Sequence, residues 1–281
     1  MKQVIRKVLP RALVDLARTT RDDLRLATAP RREFAHRTLR PTAMLGLPGM
    51  LDDERFAAAW ERDHAAIAAL FGDGDRSGGI NPGDRRAIHA LILALKPDVV
   101  LEIGTHIGAS TLYIARALRE VSPIARVVTV DIVDVNDPAR GPWMAVGIKS
   151  PPRDLARELD CHDRIVFVQQ RAEEFMARTD ERFGLVFLDG DHSPLAVYNE
   201  VAAALRILRP GGVILLHDYY AGGRALFPDG QVIAGPFRAL ERIRRENPAI
   251  AVTPLGELPW PTKQGTRTTS LALVSRASST A

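Results

Sequence analysis

From residue 84 onward the chain alternates short β-branched runs with helical stretches, and this alternation excludes most folds. A helical stretch over 85–95 leads into "DVVLEIG"; "ASTLYIARALRE" and "ARVVTVDI" follow. After a long polar and proline-bearing loop (133–152) and a short helix near 153–160 come "RIVFVQQ", "AEEFMAR", "FGLVFLDG", "PLAVYNEVAAALRILR" and "GGVILLHD". "PFRALERIRRE", "AIAVTPL" and "TSLALVSR" close the pattern. Apolar strands separated by helices build βαβ units, whose strands lie in a mostly parallel sheet covered on both faces. The spacing therefore predicts an α/β fold with seven strands and no internal repeat.

The remaining segments set the domain layout. "DDERFAAAWERDHAAIAALF" carries acids at its front and apolar residues on one face, which predicts a helix. "GDGDRSGGINPGD" reads as a loop, and it lacks the closing glutamate of a calcium loop. Ahead of these, residues 1–50 read as a basic helical arm and a linker, "RPTAMLGLPGM", leaving 51–281 as the main domain. Residues 1–42 hold eleven Lys and Arg against four Asp and Glu, although the whole chain carries only +4. No zinc-finger, helix-turn-helix or aromatic RNA-binding signature accompanies that charge, so no nucleic-acid partner is expected. The arm suits packing on a second subunit of a homo-oligomer, or peripheral contact with an anionic membrane surface. One cysteine, Cys161, permits no internal disulfide, and no apolar run approaches the ~18–20 residues of a membrane span. A cytoplasmic location is the expectation.

"VVLEIGTHIGAST" (99–111) turns from the first strand into a helix through Gly104 and Gly108, with Glu102 just ahead. In open parallel sheets, ligands bind beyond the carboxyl ends of the strands, and this first turn is the usual place. Gly104 permits a tight turn, and Gly108 lets a ligand approach the start of a helix, whose free N–H groups attract anions. The loop lacks the middle glycine of the dinucleotide fingerprint, which argues against a pyrophosphate ligand.

Five features then fall in one order: this loop, "VVTVDI", "RAEEF", "FLDGDHS" and "LRPGGVILLHDYY". Together they resemble class I S-adenosylmethionine-dependent methyltransferases with a Rossmann-like sheet. More narrowly, they resemble the catechol-type and macrolide- or aminocoumarin-sugar-type O-methyltransferases, over about residues 80–275. The resemblance implies S-adenosyl-L-methionine as cofactor and a small-molecule or glycan hydroxyl as methyl acceptor. It implies that Glu102 and Gly104 line the methionine end, with Ser110 on the cofactor's carboxylate and Thr105 and Gly108 also among the cofactor-binding residues. By the same resemblance Asp131 accepts both ribose hydroxyls, Ala172 and Glu173 contact the adenine, and Asp189 borders the cofactor. The simpler roles of Asp131 as a turn residue and of Glu173 as a first-turn acid stay open.

Asp189, Asp191, His192, His217 and Asp218 all end strands at the edge that carries Gly104. In the catechol-like family the positions of Asp189 and Asp218 bind Mg²⁺, a hard cation suited to oxygen ligands. Tyr219 replaces an asparagine ligand of the catechol type, and His217 replaces an aspartate of the sugar type. A histidine ligand shifts preference toward Mn²⁺, Fe²⁺ or Zn²⁺. His192 stands where the family has a catalytic lysine, and as a general base its ordinary pKa near ~6.5 would suit proton removal at neutral pH. Its alternative is a helix-start role beside Ser193. Acceptor choice is expected in the 133–152 loop with Trp143 and Met144, and in the segments around 219–237 and Trp260, with Trp260 either a ligand wall or a packing residue. A cephalosporin-hydroxylase-like metal oxygenase shares the "DGDH" pattern, and a non-catalytic cofactor-binding module is the third reading.

Overall fold

A computed structural model describes residues 11–51, 53–71 and 79–278. Its centre is the expected seven-stranded sheet, in the order β3-β2-β1-β4-β5-β7-β6. The strands are β1 (Val99–Ile103), β2 (Arg126–Asp131), β3 (Ile165–Gln169), β4 (Phe183–Leu188), β5 (Leu208–Leu216), β6 (Ile250–Pro254) and β7 (Ala272–Arg276). The first five in sequence run parallel; β7 lies antiparallel to β5, and β6 antiparallel to β7. The strand order reverses between β1 and β4, which opens a crevice there.

Helices α1 (Arg11–Thr28), α2 (Glu54–Phe71), α3 (Pro82–Leu95), α4 (Ala109–Val121), α5 (Pro152–Glu158), α6 (Ala172–Arg178), α7 (Pro194–Ile207) and α8 (Ala234–Glu246) cover the sheet. Alternation along each strand splits the core in two. Val100, Leu185 and Leu215 meet Ile67, Leu91 and Leu112 from α2, α3 and α4 on one face. Leu101, Val186 and Ile214 meet Leu26, Val201 and Leu240 from α1, α7 and α8 on the other. β1 is buried along its whole length, as a strand covered on both faces must be.

Local chemistry explains the boundaries nearest the site. α3 starts three residues before the expected 85 because Asn81 caps it, its Oδ1 accepting from the Asp84 amide at 3.0 Å, with Pro82 in the first turn. Lys96 ends α3 in a left-handed conformation, and Pro97 follows. In the 133–152 loop, "PWMA" forms one helical turn that buries Trp143 in the α4 side of the core, while Met144 stays exposed. Trp143 therefore packs the fold instead of facing an acceptor.

Part of the segment expected as a basic arm and linker over 1–50 packs, where it is described, on the sheet of its own chain. Leu26 and Phe34 join the core, and Arg242 of α8 donates to the carbonyls of Leu26 and Ala29. Leu39 pairs with Gly212 and Pro41 with Arg276, so the segment clamps β5 and β7 of its own chain. The linker over 40–50 is pinned as well, with Leu45 buried among the core residues. The apolar residues Val4, Ile5, Val8 and Leu9 lie outside the described residues. Among the described residues no helix is long and apolar enough to cross a membrane.

Candidate active site

A cavity of about 690 Å³ opens over the carboxyl ends of β1, β2, β4 and β5. Backbone bonds stitch these ends together: Gly104 N donates to Val130 O, Asp189 N to Ile103 O and His217 N to Leu188 O. Gly104 has φ 98°, and a Cβ there would strike the Asp189 backbone, so only glycine lets the β1 turn lie against the β4 end. Gly108 is also left-handed, but a Cβ would meet Pro152 at 2.7 Å. Its freedom serves the packing of α5 on the turn, and it does not line the cavity.

The residues carried over to the methionine end divide in the same way. Gly104 borders the cavity, whereas Glu102, Thr105 and Ser110 lie beneath its floor. The register sets Glu102 beside Thr129 of β2. The Glu102 carboxylate accepts from Ser110, Thr111 and Thr129 hydroxyls at 2.5–2.6 Å, and Thr105 bonds Thr129 in turn. Burial pushes the Glu102 carboxyl up to about 7 against the pull of those three hydroxyls. Ser110 is thus engaged with Glu102 and does not point its hydroxyl at the cavity.

Asp131, at the end of β2, does line the cavity. Its Oδ2 accepts from the His106 amide at 2.9 Å and its Oδ1 from the Val133 amide at 3.1 Å. Each oxygen keeps a further lone pair, enough for two vicinal hydroxyl donors. Ala172 and Glu173 open α6 on the same wall, beside Gln170 and Arg171.

At the other end stand Asp189, His192, His217 and Asp218. His192 Nε2 is 3.5 Å from Asp218 Oδ2. The Asp191 carboxylate, not the Ser193 hydroxyl, accepts an amide at the start of α7, so His192 is free of any capping role. Asp218 holds φ 56°, a strained backbone for a non-glycine residue and a common mark of functional sites. His217 bonds Asp189 Oδ1 at 3.0 Å and Asp84 Oδ2 at 3.3 Å. Burial alone would lower its pKa, but Asp189, Asp218 and Asp84 together raise it well above the usual value, so it sits as an imidazolium among three carboxylates.

Asp84 was not legible as a site residue. It is fully buried, and its Oδ1 has no hydrogen-bond partner. Its only local signal is the helix-start pattern Asn81-Pro82-Gly83-Asp84. Trp260 holds that start in place, donating from Nε1 to Gly83 O at 2.9 Å with Arg86 stacked over its ring. Of the two roles weighed for Trp260, packing is the one seen. Tyr219, at the position of the catechol-type asparagine, packs against Phe237 in the core and offers the cavity nothing.

A mostly parallel sheet with this order and antiparallel β7, and a cavity at its reversal point, defines the class I methyltransferase fold. Solved structures agree. The O-methyltransferase TomG of Streptomyces achromogenes, involved in tomaymycin synthesis and bound to S-adenosylmethionine, superposes with a TM-score of 0.53 at 20% identity, covering 80% of this chain and 91% of its own. The Bacillus cereus O-methyltransferase in complex with S-adenosylhomocysteine gives 0.51 at 20% identity, with the same coverage. A family model described as a methyltransferase domain matches residues 101–219. A protein of Mycobacterium tuberculosis named as a probable O-methyltransferase is 30% identical over 226 residues, spanning 75% of this chain and 92% of its own length. The rhamnosyl O-methyltransferase of Mycobacterium leprae is 28% identical over 56% of this chain and 63% of its own. The chain belongs to the S-adenosylmethionine-dependent O-methyltransferases.

Proposed function

We propose that the protein moves a methyl group from S-adenosylmethionine to a hydroxyl of a small molecule or glycan within this cavity. One observation carries the reading: a single cavity joins Asp131, with lone pairs left for a ribose diol, to the Asp189, His192 and Asp218 cluster. Gly104 lets the adenosyl chain run close to the backbone, Asp131 accepts the ribose hydroxyls, and Ala172 and Glu173 flank the base. Asp189 then lies between the two ends. A rhamnosyl O-methyltransferase among the relatives favours a sugar hydroxyl as acceptor.

His192 is the base in this reading. Its Nε2 takes the acceptor's proton, and Asp218 Oδ2 steadies the resulting imidazolium. Holding the acceptor oxygen in line with the methyl carbon and sulfur supplies much of the remaining barrier reduction, on the order of 7–11 kcal/mol.

The donor set also fits a divalent cation. Asp189, His192 and Asp218 each offer one ligand atom, all within 4.8 Å of one another. Asp189 and Asp218 would hold it, and an imidazole third ligand favours Mn²⁺, Fe²⁺ or Zn²⁺ over Mg²⁺. Such an ion would lower the pKa of a bound acceptor hydroxyl. His192 Nε2 cannot both bind the ion and take a proton, so chelation and the His192→Gln variant separate the two roles.

The deciding experiment is calorimetry with S-adenosylhomocysteine. Asp131→Ala should weaken binding at least tenfold, about 1.4 kcal/mol, in a protein that stays folded. Unchanged affinity would remove Asp131 from the cofactor site.

A further inference from the structure

Glu200 is a buried carboxyl that the chemistry above leaves unused. It lies one turn after Ala196 on α7, and both residues line the cavity wall. Only 5% of it is exposed, yet among the described residues it has no hydrogen-bond partner and no ion pair. Its carboxyl is not sealed in the core; it borders the cavity, so its unused hydrogen-bonding capacity faces the space that a ligand would fill. The charges that bear on it are Asp191, from the loop after β4, and Glu173, from the first turn of α6. Arg171 and His192 line the same cavity without a recorded bond to it. No residue of its own helix pairs with it.

Position selects the ligand's end. The helix of Glu200, α7, packs against α6, whose start carries Ala172 and Glu173 beside Gln170 on the cavity wall. Resting on the reading of this cavity as the S-adenosylmethionine site, we propose that Glu200 recognises the purine ring as a neutral acid, its O–H donating to a ring nitrogen and its C=O accepting from the exocyclic amine. The chemistry matches: a carboxylic acid sets one donor beside one acceptor, and the amine-bearing edge of adenine offers the complementary pair. Burial, and then the negative charges of Asp191 and Glu173, push the carboxyl up to about 8, so it keeps its proton at neutral pH. A charged carboxylate would have no donor to offer and would face two like charges.

The test is calorimetric titration of the full chain with S-adenosylhomocysteine and, separately, with adenosine, whose base does not titrate between pH 6.5 and 9.5. In the wild-type protein both affinities should fall about tenfold for each pH unit above the Glu200 pKa. Glu200→Gln carries the same donor and acceptor pair, so it should bind nearly as well as wild type below pH 7.5 and show no such fall. Glu200→Leu should weaken both ligands about tenfold at pH 7, the scale of one lost polar partner in a buried site. Equal, pH-independent binding by all three proteins overturns the role of Glu200 and leaves the cofactor site standing. An effect on S-adenosylhomocysteine but none on adenosine overturns the purine assignment. Failure of the folded wild-type protein to bind S-adenosylhomocysteine at any pH overturns this inference together with the cofactor reading beneath it.

Discussion

Two clusters of polar residues lie a few residues apart along the same strand edge, and they are built in opposite ways. Below the β1 turn, Glu102 is fully buried and its carboxylate is met by three hydroxyls, with Thr105 closing the network onto Thr129. At the ends of β4 and β5, Asp189, His192, His217 and Asp218 face a cavity, Asp84 Oδ1 is unsatisfied, and three carboxylates crowd one imidazolium. The first cluster has spent its hydrogen-bonding capacity on itself and stiffens the turn. The second has kept capacity open, as a site that must bind and react does, and it tolerates local strain at Asp218. Proximity to the glycine turn therefore says little about function; unspent lone pairs and protons say more.

The contrast breaks most sharply through His192. His192→Gln should lower kcat by about 10²–10⁴-fold, with the unfolding midpoint unchanged. A full-rate variant would make the cluster a passive acidic pocket. Chelation read on the same assay distinguishes the ion-binding role: turnover lost with S-adenosylhomocysteine affinity kept supports a metal on Asp189 and Asp218.

Next comes the pH dependence of stability under the floor. The folded pKa of Glu102 lies near 7, above the ordinary 4.5. A carboxyl raised on folding contributes most when protonated, so its support fades as pH rises from about 4.5 through about 7, by about 3 kcal/mol in all. Glu102→Gln should flatten that part of the urea-unfolding profile. An unaltered slope would mean that the three hydroxyls hold the carboxylate charged.

Smaller still, Thr111→Val removes one of the two hydroxyls that donate to Glu102 Oε2 and leaves Thr129 on it; it should cost about 1 kcal/mol of stability, with the methylation rate per folded molecule kept. Were turnover lost in proportion to nothing seen in the melt, the floor would belong to the site after all. Outside both clusters, Asp23→Ala breaks the half-exposed pair with Arg238 that ties α1 to α8. That should cost below about 1 kcal/mol and leave both clusters untouched.

Much of the architecture was readable from local pattern. Strand and helix periods are set by which residues avoid water, so the seven strands, their order of appearance and the helices between them follow from spacing alone. The place of Asp131 on the cavity wall was readable for the same reason: an acid closing an apolar strand at a sheet's carboxyl edge has few places to go. Glu102 and Ser110 misled because nothing in "VLEIGTHIGAST" tells whether an acid and a hydroxyl eight residues apart face a ligand or each other. Trp143 and Trp260 sit in polar, proline-rich stretches, where an aromatic reads as a ligand wall until the core is seen to receive it.

By itself, then, the chain's order of residues determined an α/β sheet, a ligand edge and the acids gathered there, because hydrophobic period and strand polarity act over short distances. Which hydroxyls meet one acid, which imidazole carries a proton, and where Asp84 and Glu200 lie was decided only in three dimensions. Asp84 meets His217 across 133 positions. Glu200 lies buried under the charges of Glu173 and Asp191 only because α6 and the loop after β4 meet α7. Desolvation and charge depend on all neighbours at once, and those neighbours come from strands and helices that no local window contains.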